Sequence, residues 1–390
     1  MKHRFVTSAL FTLAALGAIA GATTLTTSDA AVIPEAASTI PEVGGSAATA
    51  SHVVEPTAAV ASRPATPLPY GEARAKGVAW LVKQQKADGG WGAGSWGQDL
   101  LSAPSDVATT VVATRALIRD AQGTAAHRAE IERAVAFVVS AVERAPEGVK
   151  LATPDGTQPQ HKLGPNVDTH FAASLLGEVI PGITDPALKV RANVAYDAVL
   201  TKVQMSQQAD GSFETGGWAP ILSNSYAAQA LVQAAAGGKE IDKKVLDNNE
   251  AYNMAQRQGG SFGGGGGAAG VDLYAVAGTA KASADYARTK VGANSAHMEE
   301  TVAVAAGRLQ SDGDRLMAGF GSMGGEEMLA YTLLSETMAE KGGTSWTDWQ
   351  TKIGAHLSTI QNADGSWSGH HCITSTTFVT AAALMTLGVD

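Results

Sequence analysis

One cysteine, Cys372, occurs in 390 residues. A lone thiol excludes an intrachain disulfide, so oxidising surroundings are not used to staple the fold. Lys and Arg nowhere gather into a basic stripe, and the formal net charge is −9. Nucleic acid is therefore not an expected partner, because a phosphate backbone calls for clustered cations. Alternation of apolar and polar residues is missing over any useful length, which argues against a sheet protein. Beyond the first 20 residues, nothing resembles a membrane-spanning run.

The chain starts "MKHRFVTSALFTLAALGAIAGA". Lys2 and Arg4 precede an uncharged apolar run, and Ala18-Ile19-Ala20 offers a small-x-small cleavage site, the order of a secretory signal peptide over residues 1–20. The run is short for a bilayer span, although an uncleaved anchor is an alternative outcome. Residues 21–69 are rich in Ala, Thr, Ser and Pro and too poor in large apolar side chains to offset their ordering entropy. They read as a disordered linker. A single folded domain is expected over 70–390, in an exported protein that is periplasmic or extracellular.

What the chain does contain is a recurring pattern. "QQKADGGW" at 84–91, "QQADGSF" at 207–213 and "IQNADGSW" at 361–367 share a Gln, an Asp-Gly and an aromatic. Weaker copies are "RQGGSF" at 257–262 and "LQSDGDRLMAGF" at 309–320. Small, apolar helical runs follow each copy, and one more, "NVDTHFAASLLGEVI", follows a degenerate loop. Polar residues near the starts of these runs are Asp106, Asp168, Asn224, Asp272, Glu326 and Ser375, 48 to 62 residues apart. More charged amphipathic segments, such as "EARAKGVAWLVKQQ", precede the loops with apolar residues every three or four. The expected fold is all-α: six hairpins, each an outer charged helix and an inner small-residue helix, closing into an (α/α)6 toroid. The apolar last run would be hidden by closure against the first hairpin. Gly of each Asp-Gly should take the left-handed conformation that stops a helix, the aromatic should pack back over the hairpin, and the Gln should reach backbone groups at a helix end.

Gln-x-x-x-Asp-Gly-[Gly/Ser]-[Trp/Phe] resembles the QW-type repeat of squalene/hopene cyclases and protein prenyltransferase β-subunits, which are α/α toroids. The resemblance spans about Tyr70 to Asp390 and implies a protein of that superfamily, of bacterial type. It does not bring the superfamily's catalytic residues with it. The Asp-x-Asp-Asp proton donor of the cyclases is missing, and aromatics, which would stabilise carbocations, are only 6 %. Of the prenyltransferase zinc ligands, Asp272 matches the Asp, Tyr274 stands where Cys belongs, and "GGEEMLAYTLL" has no His. The Gly-Cys-Gly-Glu-Gln motif of complement-type thioester domains is missing as well.

The remaining chemistry-bearing stretch is "GSWSGHHCITSTTF" at 365–378. His370, His371 and Cys372 lead into the last inner helix, at the rim where relatives keep their site. Three readings stay open. Two of these residues, completed by Asp168 or His170 from another hairpin, would suit a divalent metal, most naturally zinc. A helix start and neighbouring imidazole would favour a Cys372 thiolate nucleophile. Otherwise the thiol is a small buried hydrophobe and the histidines bind loop carbonyls. Asp106, Asn224, Asp272, Glu326 and Glu327 are further rim residues, and helix-capping is the ordinary role for Asp and Ser there. The 144–166 segment is either a lid over one mouth or a surface loop. Function is accordingly expected to be that of a non-standard enzyme using His370, His371, Cys372, Asp168 and His170, or of a binder of an isoprenoid or lipid-like ligand in the central cavity. Alternatives are a scaffold for a protein partner and a carbohydrate-active toroid. A monomer is expected.

Overall fold

A computed structural model describes residues 70–96, 102–214, 216–258, 269–289 and 294–389. The expected signal peptide, the linker and most of the Gly-rich 259–270 stretch lie outside the described residues. Among the described residues the protein is all-α, with thirteen α-helices and no strand. In chain order they are α1 (Tyr70–Lys83), α2 (Val107–Ala121), α3 (Arg128–Glu143), α4 (Gln158–Leu163), α5 (Val167–Val179), α6 (Pro186–Met205) and α7 (Pro220–Ala236). There follow α8 (Lys243–Gln258), α9 (Ala269–Arg288), α10 (Asn294–Ala318), α11 (Gly325–Lys341), α12 (Gly343–Ile360) and α13 (Thr376–Leu387).

The small-residue runs become α2, α5, α7, α9, α11 and α13, and each is buried along nearly its whole length. Ala, Ser and Thr allow such helices to approach closely. Buried hydroxyls need partners, and Thr114, Thr279 and Thr337 find them on the preceding turn, at the carbonyls of Thr110, Ala275 and Leu333. Asp106 caps α2 by accepting from Thr109 N at 2.7 Å, and Ser375 caps α13. The six helices pack in a cycle: α2 on α5, α5 on α7, α7 on α9, α9 on α11, α11 on α13, and α13 back on α2. The charged segments α1, α3, α6, α8, α10 and α12 pack outside it, each against the buried helix that follows the next loop or its neighbour. α13 is thereby covered by α1 as well as α2, and the Tyr70 hydroxyl donates to Leu387 O.

Three Asp-Gly loops share one hydrogen-bond scheme. Gly89, Gly211 and Gly365 have φ of +88°, +90° and +93°, as expected of a left-handed helix stop. A Cβ at these positions would lie 2.5, 2.2 and 2.7 Å from the carbonyl oxygens of Arg133, Asn248 and Lys76. Those carbonyls belong to α3, α8 and α1, so the loop is pressed onto the next outer helix. The Gln of each loop bridges the same gap. Gln85 Nε2 donates to Gly89 O and Glu130 O, Gln207 to Gly211 O and Val245 O, and Gln361 to Gly365 O and Ala73 O. The last of these ties the end of the chain to its first described helix. The aromatics turn inward: Trp91 and Trp367 are buried, and their indole N–H groups donate to Leu81 O and Leu357 O.

The weaker copy at 309–320 behaves differently. It runs within α10, interrupted at Asp312 with φ −141°. No aromatic follows Asp312-Gly313 at the docking distance; Asp314 and Arg315 stand there and pair with Lys352 and with Asp312 and Asp272. With nothing to pull the chain under the hairpin, the helix resumes. The copy "RQGGSF" lies mostly outside the described residues. Among the described residues no helix is long and apolar enough to cross a membrane.

Candidate functional site

The N-termini of the buried helices meet at one end of the cycle. Asp168 near the start of α5 accepts from Ala108 N in the first turn of α2 at 2.8 Å. Ser223 of α7 bonds His170 of α5, Tyr274 of α9 bonds Glu327 of α11, and Gly325 N of α11 donates to Ile373 O ahead of α13. The 144–166 segment packs over this end. Its helix α4 carries a capping box between Thr157 and Gln160, and the fully buried Gln158 accepts from Thr374 N and Ser375 N. The segment is in part a surface loop, with Arg144, Pro146, Glu147, Gly148 and Lys150 exposed, and in part anchored, with Leu151, Gln158 and Leu163 buried.

The sequence-predicted residues fall in three separate places. His170 is fully buried between Ser223 Oγ at 2.8 Å and Ser206 Oγ at 3.2 Å. Ser206 already donates to Val203 O, which puts the imidazole proton on Nε2 and leaves Nδ1 to accept from Ser223. Burial pushes its pKa down to about 3, so it is a neutral core histidine. Asp168, also buried, lies on a pocket of about 380 Å³ whose other walls include Lys150, Asp155, Gln160 and His161. Burial, then the neighbouring Asp106, raises its carboxyl to about 7.

His370, His371 and Cys372 diverge. His370 is exposed; His371 Nε2 donates to Ser322 O at 2.9 Å and lies 3.5 Å from Glu327 Oε1; Cys372 is half-buried. Among the described residues no three His, Cys, Asp or Glu side chains stand together as a metal site, so the expected zinc set of His370, His371 and Cys372 does not form, with or without Asp168 and His170. The expected thiolate meets the opposite electrostatics. Burial and then Glu326 raise the Cys372 thiol to about 11, in spite of Lys162.

What does assemble beside Cys372 is centred on Glu326. Its Oε2 accepts from Ile373 N at 3.1 Å, while Oε1 is buried without a hydrogen-bond partner. Burial, with Glu327 adding to it, raises this carboxyl to about 7. Trp96 Nε1 donates to Cys372 O at 2.8 Å. The Lys162 ammonium stands 5.4 Å from the Trp96 ring centre and 5.7 Å from that of Trp218. Trp218 is 73 % exposed, Trp96 43 % and Phe320 45 %, and Phe320 packs edge-on against His371. Sequence reasoning included Glu326 as a rim residue but missed Trp96, Lys162 and Trp218. The available signal was two tryptophans in Gly-rich loops, "GSWG" and "GGWA", outside the Gln–Asp-Gly pattern.

A second group of polar residues sits where the same helices end. Arg115 Nε donates to Glu178 Oε2 at 2.7 Å, Arg119 pairs with Glu336, Gln229 Nε2 donates to Glu336 Oε2 at 3.0 Å, and Lys281 bonds Asp285 and Glu340. These link α2, α7 and α9 to α11 through the middle of the cycle. Burial alone would raise Glu336, but Arg119, Lys281 and Arg115 outweigh it and hold the carboxyl at about 2.

Compared with known proteins, the chain matches no protein-family model and no curated protein.

Proposed function

We propose that the chain is an exported α/α toroid of the prenyltransferase and squalene-cyclase type that binds a hydrophobic, isoprenoid- or lipid-like molecule. The entry is at the N-terminal end of the inner helices, with Glu326 as the group that meets the ligand's polar end. The closed packing cycle, the three matching Asp-Gly loops and the Gln361 clasp onto α1 support the toroid. The observation that carries the function is the partnerless, buried Oε1 of Glu326, whose Oε2 accepts from Ile373 N of the same peptide unit that receives the Trp96 indole N–H at Cys372 O. A buried polar atom without a partner is costly, and a ligand hydroxyl or carbonyl oxygen would relieve that cost by accepting from the protonated carboxyl. The neighbouring indole faces supply apolar area at little entropic cost. Because the carboxyl holds its proton up to about pH 7, a neutral head group suits it better than an anionic one.

One observation favours a catalytic variant of the same reading: a carboxyl that titrates near 7 is matched to proton donation at neutral pH. Cys372 and His170 have no place in it. The test is organic extraction and mass spectrometry of full-length protein recovered from the exporting cell, with Glu326→Gln and Trp96→Ala/Trp218→Ala prepared alongside. The expected result is a hydrophobic compound in near-stoichiometric amount with wild type, retained by Glu326→Gln only in part and lost from the double Trp variant. No compound from wild type, or equal recovery from all three, would reject the reading. Addition of candidate polyprenols to the same samples would then separate turnover from binding by product analysis.

A further inference from the structure

Lys162, next to the end of α4, carries an ammonium that the fold leaves over two indole rings. Its Nζ stands 5.4 Å from the ring centre of Trp96 and 5.7 Å from that of Trp218. Beyond the Cys372 thiol it has no hydrogen-bonding partner among the described residues, and the Glu326 carboxyl senses its charge without pairing with it. The side chain is half-buried, so its donors are within reach of water and of a ligand.

The positions of the two rings are built into the backbone. Trp218 N and Ala219 N both donate to Lys162 O at 2.8 Å. That approach needs Gly217, with φ +88° and a Cβ that would lie 2.8 Å from the same oxygen. Glu214 ties the loop down further by accepting from Asn166 N at 2.7 Å. Trp96 is held by its side chain: the indole N–H donates to Cys372 O at 2.8 Å, and the His161 ring lies 5.3 Å away, centre to centre. Trp218 is held only through its backbone, and its indole is the most exposed large apolar side chain among the described residues. An aromatic on a loop already fixed in place offers contact area at low entropic cost.

We infer that Trp218, Trp96 and Lys162 form a binding platform for a neutral pyranose ring, with the C–H face of the sugar on the Trp218 indole and a sugar hydroxyl accepting from the Lys162 ammonium. The chemistry of the three groups selects this class. An indole presents the negative face of its quadrupole, which attracts the weakly positive C–H hydrogens of a sugar. The same attraction holds the ammonium over the rings, where a hydroxyl oxygen accepts without displacing it. A hydrocarbon chain in that place would strip water from the ammonium and give it no acceptor, which is costly. A phosphate or carboxylate would pair with the ammonium but would bring its charge against two negative ring faces, in a chain of net charge −9. In the rim reading the sugar is the ligand's neutral head group, and to that extent the inference rests on that reading; the platform itself needs no tail.

The test is saturation-transfer difference NMR on the full chain at pH 7. The probes are methyl β-glycosides of glucose, galactose, mannose and N-acetylglucosamine, with glucose 6-phosphate, octanol and octyl glucoside below its micelle concentration. Saturable binding of at least one methyl glycoside is expected, with the C–H protons of one ring face receiving most saturation. Glucose 6-phosphate and octanol should bind about fivefold more weakly than that glycoside, or less. Trp218→Ala truncates an exposed side chain and leaves the core intact; it should weaken the glycoside about fivefold or more, and Trp218→Phe should weaken it less. Lys162→Met keeps the stem, removes the charge and should also weaken binding. No saturable glycoside binding, or binding undiminished in either Trp218→Ala or Lys162→Met, would overturn the platform. Glucose 6-phosphate or octanol binding as tightly as the glycoside would overturn the ligand class. Octyl glucoside binding more tightly than methyl glucoside assigns the sugar to a glycolipid, and equal binding assigns it to a free saccharide. A sugar-free compound extracted from wild type, with no glycoside binding, would sink this inference and leave the rim reading standing; glycoside binding with nothing extracted would do the reverse.

Discussion

Asp168 and Glu326 differ from the surface carboxyls in that burial holds both at about 7. Their unfolded pKa values lie near 4, so between about pH 4 and 7 the native state keeps protons that the unfolded state releases. Stability contributed by these groups is full at the acid end of that window, falls as pH rises through it, and levels off above about 7. His170 works in the other direction: with a native pKa of about 3, it costs stability as pH drops below about 6.5, where the unfolded imidazole takes a proton first. Asp168→Asn keeps an acceptor for Ala108 N and should flatten the decline between pH 4 and 7 in urea-unfolding free energies. A slope identical to wild type would show that Asp168 is ionised throughout. For Cys372, a thiol raised to about 11 should react slowly with iodoacetamide at pH 7 and accelerate up to pH 10 and beyond; fast alkylation at pH 7 would restore the thiolate reading. Residue identity made these groups visible as candidates in the sequence. Their roles were not visible, because burial by α4 and by the 369–375 loop decides them, and those contacts join residues far apart in the chain.

Among elements, the Asp-Gly loop was the most legible. Its information is local: a Gly at positive φ, a Gln within reach of a helix end, and an aromatic that docks. Even so, the partner of each loop is the next outer helix, and that could not be read from the loop itself. Gly365→Ala brings both a left-handed backbone and a Cβ 2.7 Å from Lys76 O. It should cost about 1–2 kcal/mol. Gln361→Ala removes the donor to both Ala73 O and Gly365 O; Ala73 O keeps its bond within α1, and the buried Gly365 carbonyl left unpaired implies a loss of roughly 1–3 kcal/mol. Because both changes act at the junction of α1 with the last loop, proteolysis should open the chain first near α1. Unchanged denaturation midpoints in both variants would show that this junction contributes little. The copy at 309–320 marks the limit of such local reading. It has the Gln, the Asp and the Gly, and yet α10 runs on past Asp312, since the side chains that follow are charged and make ion pairs instead of docking.

At the scale of the whole molecule, the feature hardest to foresee is the ionic network inside a cycle of small-residue helices. Arg115, Glu178, Lys281 and Glu336 each lie two to three helical turns beyond the polar residue that opens their helix, a shared register. Seen one helix at a time, these charges stand late in apolar runs, and only Lys281 has a partner within its own helix, Asp285. Only closure of the cycle brings them together, with Glu336 of α11 reaching Arg119 of α2 and Gln229 of α7. Such a network costs desolvation for every member, and its net contribution is small while it stays intact. Breaking it is another matter. Glu336→Gln would leave Arg115 and Arg119 buried without their common counter-charge, and a loss of about 3–5 kcal/mol at pH 7 is expected. The pH dependence identifies the cause. A carboxyl held at about 2 in the native protein, against about 4.3 when unfolded, gives stability that is complete above about pH 4.3 and is lost as pH falls through about 2. Wild type should therefore weaken steeply over that acid window, and Glu336→Gln should weaken less there, so that the two unfolding curves converge toward pH 2. If the variant ran parallel to wild type from pH 5 to pH 2, the carboxylate would not be the centre of the network, and its role across the cycle would pass to Gln229 and the packing around it.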